Sequence, residues 1–210
     1  GLGAAWQRNE HTAYGIPFYT VGERLNRLEE ACQVILALWT QPKSTFQGKY
    51  YQLTDAPLSP KPIQQPHPEF LIGGGGEKRT LNIVARYADH WNVWGGPQTF
   101  QHKGKVLEQH CAAVGRDAAS IIRSANMPCL ITDNTEEKEQ LIRDLMRRFG
   151  RSEEEARDGV LVGSVAEIQD RIGQLQQAGV QQLLLPTFLP PWNLDHLDRF
   201  ITEVAPAFRR

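Results

Sequence analysis

From residue 22 onward the apolar positions alternate between helical stripes and short continuous runs. Leu25, Leu28, Cys32, Ile35 and Leu38/Trp39 recur every three or four residues, so the spacing predicts a helix with one apolar face, stopped by Pro42. Residues 1–20, rich in glycine and aromatic rings, read as the end of a strand followed by a loop. Residues 45–53 read as a hairpin around Gln47-Gly48. Pro57, Pro60, Pro62, Pro66 and Pro68 keep residues 56–68 extended, because each biases its predecessor away from helix. A regular rhythm then begins. A strand at 70–72 precedes a helix at 78–88 with Leu81, Val84, Ala85 and Ala88 on one face. A strand at 90–93 precedes a helix at 99–114 closed by Gly115. A strand at 125–131 precedes a helix opened by Asn134 with Glu137 and ended by Gly150. Ser152 with Glu155 and Ser164 with Glu167 repeat the capping signature. The helix from Ser164 ends before Gly179, a strand follows at 182–185, and a helix at 194–208 closes the chain. Strands apolar on both faces, alternating with helices, predict an α/β fold with a parallel sheet and helices outside it. An open doubly wound sheet and a (β/α)₈ barrel both satisfy this pattern.

Composition narrows the class. The chain has 210 residues, and the expectation is one domain over 1–210. Hydrophobic residues at 40% and charged residues at 22% exclude a disordered tail, a collagen repeat and a coiled-coil rod. The formal net charge of −1 argues against a nucleic-acid partner. No apolar run approaches the roughly 20 residues that span a bilayer, so no membrane partner is expected. Cys32, Cys111 and Cys129 are odd in number, widely spaced and without a CxxC pair. They are expected to be reduced and mostly buried, in a cytoplasmic protein.

The sharpest candidate for chemistry is the run from Phe70 to Thr80, Phe-Leu-Ile-Gly-Gly-Gly-Gly-Glu-Lys-Arg-Thr. A strand enters four glycines and then a helix that opens with two cations. Glycines let backbone N–H groups approach an anion, and a helix N-terminus adds partial positive charge. Gly73, Gly74, Gly75, Gly76, Lys78 and Arg79 are therefore candidate phosphate ligands; the alternative is a tight turn that merely tolerates glycine. The run is not a Walker A loop, and Lys78 stands where a dinucleotide fingerprint needs its third glycine. In the opening segment Trp6, Tyr14 and Phe18 are candidates to stack on a planar ring, or to cap a barrel mouth without touching a ligand. In His90-Trp-Asn-Val-Trp-Gly-Gly96, Asn92 and Trp94 are candidates for a ring or substrate wall, whereas His90 reads as a cap on the preceding helix. His67, His102, His110 and His196 read as surface or helix-face residues. The loop Leu185-Pro-Thr-Phe-Leu-Pro-Pro-Trp192 is a candidate to close part of a pocket. No GxSxG elbow, HExxH pair or acidic metal cluster is present, so no metal site is expected and no catalytic side chain is assigned. The chemistry is expected to belong to a bound cofactor.

Several blocks together carry a resemblance. They are Gly1-x-Gly-x-x-Trp6 with Glu10-His11-x-Ala-Tyr-Gly15, Glu23-Arg24-x-x-x-Leu28-Glu29-Glu30-Ala31, Ala37-Leu38-Trp39-Thr40, Phe46-x-Gly48-x-x-Tyr51, Pro60-Lys61-Pro62-x-Gln64-x-Pro66-His67-Pro68, the glycine loop, and Ala85-x-x-Ala88-Asp89-x-Trp91-Asn92. With the closing Phe200-Ile-x-Glu-Val-Ala-Pro-Ala-Phe208, the chain resembles the luciferase-like monooxygenase superfamily. Within it the chain is most similar to oxidoreductases that use the deazaflavin coenzyme F420. The resemblance implies a (β/α)₈ TIM barrel of the bacterial luciferase-like type, with the coenzyme at the C-terminal strand ends. It implies a phosphate on the loop from Gly73 to Arg79 and hydride transfer between the deazaflavin and a small organic substrate. A flavin mononucleotide (FMN)-dependent monooxygenase using oxygen is the nearest rival reading; a non-catalytic flavin-binding remnant is another. A homodimer is left open. The resemblance also matches Gly1-Leu2-Gly3 to the end of a fourth barrel strand, so the chain is expected to be the C-terminal two-thirds of a barrel, with the acid/base side chains on the strands before it. Two positions depart from the pattern. Ala5 stands where a third glycine is common, and Ala4 stands where sugar-phosphate-oxidising relatives place a glutamate.

Overall fold

A computed structural model of the chain describes residues 1–186 and 195–208. Contacts gather these residues into two compact units, 1–91 with 107–121 and 92–106 with the residues from 122 onward. Strand β5 and helix α4 run from one unit into the other.

The first unit starts with β1 (Leu2–Gly3), α1 (Arg8–Ala13) and α2 (Val21–Thr40), followed by β2 (Ser44–Gln47) and β3 (Gln52–Ala56). Then come β4 (Leu71–Gly73), α3 (Thr80–Tyr87), the start of β5 (His90–Val93) and the second half of α4 (Pro97–Ala113). Helix α1 lies in the segment expected to be a loop. It has six residues and buries none of them, so it leaves no apolar period to detect. Helix α2 starts where the Thr20 hydroxyl accepts the Glu23 N–H, and it buries Leu28 and Cys32. Its carbonyl end is closed by Lys61, whose ammonium donates to the Leu38 carbonyl at 2.6 Å and the Gln41 carbonyl at 2.5 Å. The expected hairpin forms as the antiparallel pair β2–β3, with Phe46 opposite Leu53. Its turn is held by Glu30 of α2, which accepts the N–H groups of Lys49, Tyr50 and Tyr51 at 2.9, 2.8 and 3.1 Å. A side chain at Gly48 would collide with that carboxylate.

The strand order in this unit is β1-β4-β5. β1 and β4 are parallel, with Leu2 opposite Ile72 and Gly3 opposite Gly73. Phe70, Ile72, Leu81, Ile83, Val84, Ala85, Ala88 and Trp91 form the buried apolar centre. The strand starts are cross-tied. The Phe70 carbonyl accepts from the Asp89 and His90 amides, and the Asp89 carboxylate accepts the Phe70 N–H at 2.9 Å. His90 does not cap the preceding helix as expected: it opens β5, is buried, and turns its Nδ1 to the Glu69 carboxylate. Helix α3 ends instead on the Ala88 N–H to the Val84 carbonyl.

The second unit holds the end of β5, the first half of α4, β6 (Ile122–Asn126), β7 (Cys129–Ile131), α5 (Thr135–Phe149), α6 (Glu153–Asp158), β8 (Leu161–Gly163), α7 (Val165–Gln177), β9 (Gln182–Leu184) and α8 (Asp195–Arg199). One strand was expected at 125–131, but two form. Met127 donates to the Leu184 carbonyl, whereas the Pro128 carbonyl accepts the Leu161 N–H. The chain changes partner where proline offers no donor. β6 pairs in parallel with β9, and β7 pairs in parallel with β8. Strand β8, three residues long, falls below what alternation reveals. Helices α5, α6 and α7 start at Asn134, Ser152 and Ser164, as the capping signatures predict. The glutamate in the last of these, Glu167, is held at about 2 by the Ser164 backbone N–H, the Lys138 ammonium and the Ser164 hydroxyl. The closing helix is not continuous. After α8 the chain widens into a π turn over Phe200–Val204 and tightens into a 3₁₀ turn over Ala205–Phe208, which contains Pro206.

The centre of this unit's polar framework is Asp158, which is buried. Its carboxylate accepts the N–H groups of Gly96, Gln98 and Thr99 and the Thr99 hydroxyl, at 2.9, 3.3, 3.2 and 2.8 Å. It thereby caps α4 from another helix. The Arg171 guanidinium meets the same carboxylate at 3.1 Å. A side chain at Gly96 would collide with the Asp158 carbonyl, so the approach demands glycine. None of the three cysteines is in a disulfide, and burial pushes the Cys32 and Cys129 thiols up to about 12. Among the described residues no helix is long and apolar enough to cross a membrane.

Two stability effects follow. Asp158→Ala leaves a partly buried guanidinium and three N–H groups at the start of α4 without their acceptor; a loss of about 2 to 4 kcal/mol is expected in urea denaturation. A loss below about 1 kcal/mol would show that the carboxylate holds nothing. For Glu30, desolvation works the other way, yet the Tyr50, Lys49 and Tyr51 N–H groups with the nearby Arg27 charge hold its carboxyl below the ordinary 4.5. A lowered folded value gives stability that is full above 4.5 and is lost as pH falls through the folded value. The urea midpoint of the wild type should therefore fall more steeply in acid than that of Glu30→Gln; parallel curves would remove Glu30 as the cause.

Candidate functional site

The glycine loop leaves the C-terminal end of β4: Gly73 is the last residue of the strand, and Gly74, Gly75 and Gly76 lie between it and α3. Gly74 sits at φ +129°, a conformation that side chains rarely adopt. A Cβ at Gly76 would lie 2.8 Å from the Thr80 hydroxyl, and one at Gly74 would lie 3.2 Å from the Thr80 methyl. Thr80 thus fills the space under the loop. The Leu81 N–H closes the turn on the Gly76 carbonyl at 3.0 Å.

Two side chains that sequence reasoning did not assign to the loop orient its peptides. The buried Trp91 indole donates to the Gly74 carbonyl at 2.8 Å. His110 of α4, expected on a helix surface, contacts the Glu77 carbonyl through Nε2 at 2.8 Å. In a trans peptide the N–H points opposite to the C=O. Anchoring these two carbonyls turns the N–H groups of Gly75 and Lys78 away from the indole and the imidazole. Neither contact leaves a local signal, because Trp91 is 17 residues and His110 33 residues from its partner.

The start of α3 has no side-chain cap. Its N-cap is Arg79, in helical conformation, and its first turn holds no acid. By contrast Thr20, Asn134 and Ser164 cap α2, α5 and α7, and Asp158 caps α4. A helix start without a side-chain cap, with its partial positive charge, suits an anion. The two cations beside it differ. Arg79 is engaged elsewhere, with Asn26 at 2.9 Å and Glu29 at 3.2 Å on α2. Lys78 is exposed and has no ion pair among the described residues.

Trp6 is 70% exposed in the segment that leaves β1. Because β1 and β4 are parallel neighbours, this segment and the glycine loop leave the same end of the pair. Ala5 holds φ +59°, the left-handed conformation that favours glycine, which explains why glycine is common there. Tyr14 is 80% exposed. Asn92 and Trp94 belong to the second unit. There the Asn92 amide donates to the Ser124 hydroxyl at 2.8 Å, and Trp94 packs against Phe149 beneath the Arg151 guanidinium. Of the loop from Leu185 to Trp192, residues 187–192 lie outside the described residues. The second unit also holds an open cleft of about 760 Å³ lined by Gln98, Ile142, Asp158, Val160 and Arg171. Its arginines are already neutralised, Arg171 by Asp158 and Arg157 by Glu139 and Glu153.

A prediction isolates the loop's anchor. Trp91→Phe keeps a buried ring but removes the donor to Gly74; a loss of about 1 to 3 kcal/mol is expected in urea denaturation followed by circular dichroism. An unchanged midpoint would detach the indole from the loop.

Comparison with known proteins gives three kinds of match. The luciferase-like monooxygenase family matches residues 1–188. Among curated relatives, an FMNH₂-dependent dimethylsulfone monooxygenase of Pseudomonas putida is 28% identical over 145 residues, covering 69% of this chain and 39% of the relative. An F420-dependent glucose-6-phosphate dehydrogenase of Kineococcus radiotolerans is 41% identical over 75 residues, 36% of this chain and 22% of the relative. The matches with the relatives of highest significance span about two-fifths of those proteins' length. Among solved structures, an F420-dependent secondary alcohol dehydrogenase bound to an F420-acetone adduct superposes with a TM-score of 0.80 at 21% identity, covering 99% of this chain and 68% of that one. At that identity the likeness shows the fold: the α/β architecture of TIM-barrel, luciferase-like proteins.

Proposed function

The chain belongs to the luciferase-like monooxygenase family, and from that premise we propose that it is part of an oxidoreductase that holds coenzyme F420 by its phosphate. The reaction is hydride transfer between the deazaflavin and a small organic substrate. The observation that carries the coenzyme site is the start of α3: a glycine turn, no side-chain cap, and an unpaired Lys78 beside it. The residues fit a phosphate. The absence of side chains at Gly74, Gly75 and Gly76 permits close approach, Trp91 and His110 fix the peptides, and the Lys78 ammonium supplies the full charge. Arg79 contributes less, since it must first leave Glu29. Trp6, at the same end of the β1–β4 pair, is the residue of this unit placed to meet a ring. When bound, the ring of the coenzyme would supply or accept the hydride.

FMN is the second reading, favoured by the match to the FMNH₂-dependent relative over 145 residues. Both coenzymes present a phosphate, so the loop alone does not separate them. Separate fluorescence titrations with F420 and with FMN do: selective F420 binding supports the first reading, selective FMN binding the second, and binding of neither removes both. For whichever coenzyme binds, Lys78→Ala with Arg79→Ala should weaken it by about 2 to 4 kcal/mol, most of it from Lys78. Unaltered affinity would show that the phosphate lies elsewhere.

A further inference from the structure

The two cations beside the glycine loop are held differently, and the cause lies on α2. The Arg79 guanidinium donates to the Asn26 amide oxygen at 2.9 Å and to the Glu29 carboxylate at 3.2 Å, both through the single nitrogen Nη2. Its Nε and Nη1 have no hydrogen bond among the described residues. The other carboxylate oxygen of Glu29 accepts from Arg86 at 3.4 Å. Arg86 lies two turns further along α3, so Glu29 serves two cations of one helix.

The hold on Arg79 is of a kind that gives way easily. An arginine binds a carboxylate strongly when two of its nitrogens face both oxygens, and here one nitrogen faces one oxygen. Both side chains are partly exposed, and water competes with such pairs. Departure of Arg79 also orphans nothing. Arg86 stays on Glu29, so the carboxylate keeps a cation and α3 keeps a tie to α2. Arg79 itself has an anion site close by in the chain. It is the N-cap residue of α3 and stands three positions after Gly76, and the helix it opens has no side-chain acceptor. A phosphate presents several oxygens to the guanidinium fork, and it can take two of its nitrogens where Asn26 and Glu29 share one.

We propose that Glu29, with Asn26, sets the affinity of the glycine-loop site: it holds Arg79 in reserve, and a bound phosphate takes Arg79 from it. This rests on the phosphate reading given above and adds to it a competitor inside the protein, on a helix that supplies no part of the loop. The contact that Arg79 gains with the phosphate is offset by the contacts it gives up on α2. The affinity is therefore lower than the loop and its two cations would give alone.

The test is a double-mutant cycle, read by fluorescence titration with F420 and with FMN at fixed ionic strength. Glu29→Gln should tighten binding of the coenzyme about two- to fivefold. Asn26→Ala, which changes no charge, should tighten it by a smaller factor, and it carries the test should Glu29→Gln not fold. The sign is decisive, because removal of a merely structural contact loosens a site. In the Arg79→Ala protein, Glu29→Gln should leave the dissociation constant unaltered, whereas a direct effect of the Glu29 charge on the phosphate would persist there undiminished. Looser or unaltered binding in Glu29→Gln and Asn26→Ala, or equal tightening with and without Arg79, overturns the exchange and leaves the loop site standing. Binding of neither coenzyme to the unaltered protein overturns the loop site, and the exchange with it.

Discussion

The first N–H groups of a helix need acceptors, and the way each helix obtains them organises this molecule. Thr20, Asn134, Ser152 and Ser164 supply hydroxyl or amide oxygens within one turn of their own helices. Helix α4 borrows its acceptor from Asp158, more than fifty residues away in sequence. Helix α3 has a glycine turn and no side-chain acceptor at its N-cap. Of the described helices of eight residues or more, α2, α4, α5 and α7 have a side-chain acceptor at their start and α3 has none. The contrast between α3 and α4 is informative because both follow glycines at the end of a strand. At α4 a carboxylate of the protein meets the first N–H groups; at α3 no side chain caps the helix start.

Carboxylates are used here mainly as clamps. Glu30 gathers three consecutive N–H groups of the hairpin turn, Asp89 ties the start of β4, and Asp158 joins α4 to α6 and α7. Each replaces solvent at backbone donors that would otherwise be poorly satisfied, and glycine at Gly48 and Gly96 is what permits the approach. Cations follow the opposite pattern. Arg79, Arg86 and Arg171 are matched by acids, whereas Arg24 and Arg8 lie on Phe18 without one, and Lys78 stands exposed beside the glycine loop.

Family membership and fold rest on the match across residues 1–188 and on the structural superposition. The choice between a deazaflavin and a flavin is a matter of ring chemistry, and the site proposed at the glycine loop concerns only the phosphate that the two share. The proposed site is therefore the same for either coenzyme, and the distinction between them lies in the ring.

The amino-acid sequence by itself determined the elements whose causes are local. Apolar spacing placed α2, and serine with glutamate three residues on placed α6 and α7; the proline-rich residues 57–68 form neither helix nor strand, but they bend repeatedly rather than staying extended. The glycine loop was legible for the same reason: four glycines between an apolar run and two cations is a pattern contained in eleven residues. Tertiary structure decided what depends on partners distant in the chain. It divided the strand at Pro128 between two partners, paired Arg79 with Glu29, placed the Trp91 indole and His110 on the loop carbonyls, and buried Asp158 at the start of α4. Periodicity reports which face of an element is apolar, but it carries no information on which distant acceptor a given donor will meet. That is settled only when packing brings the two together and excludes the water that would otherwise satisfy them.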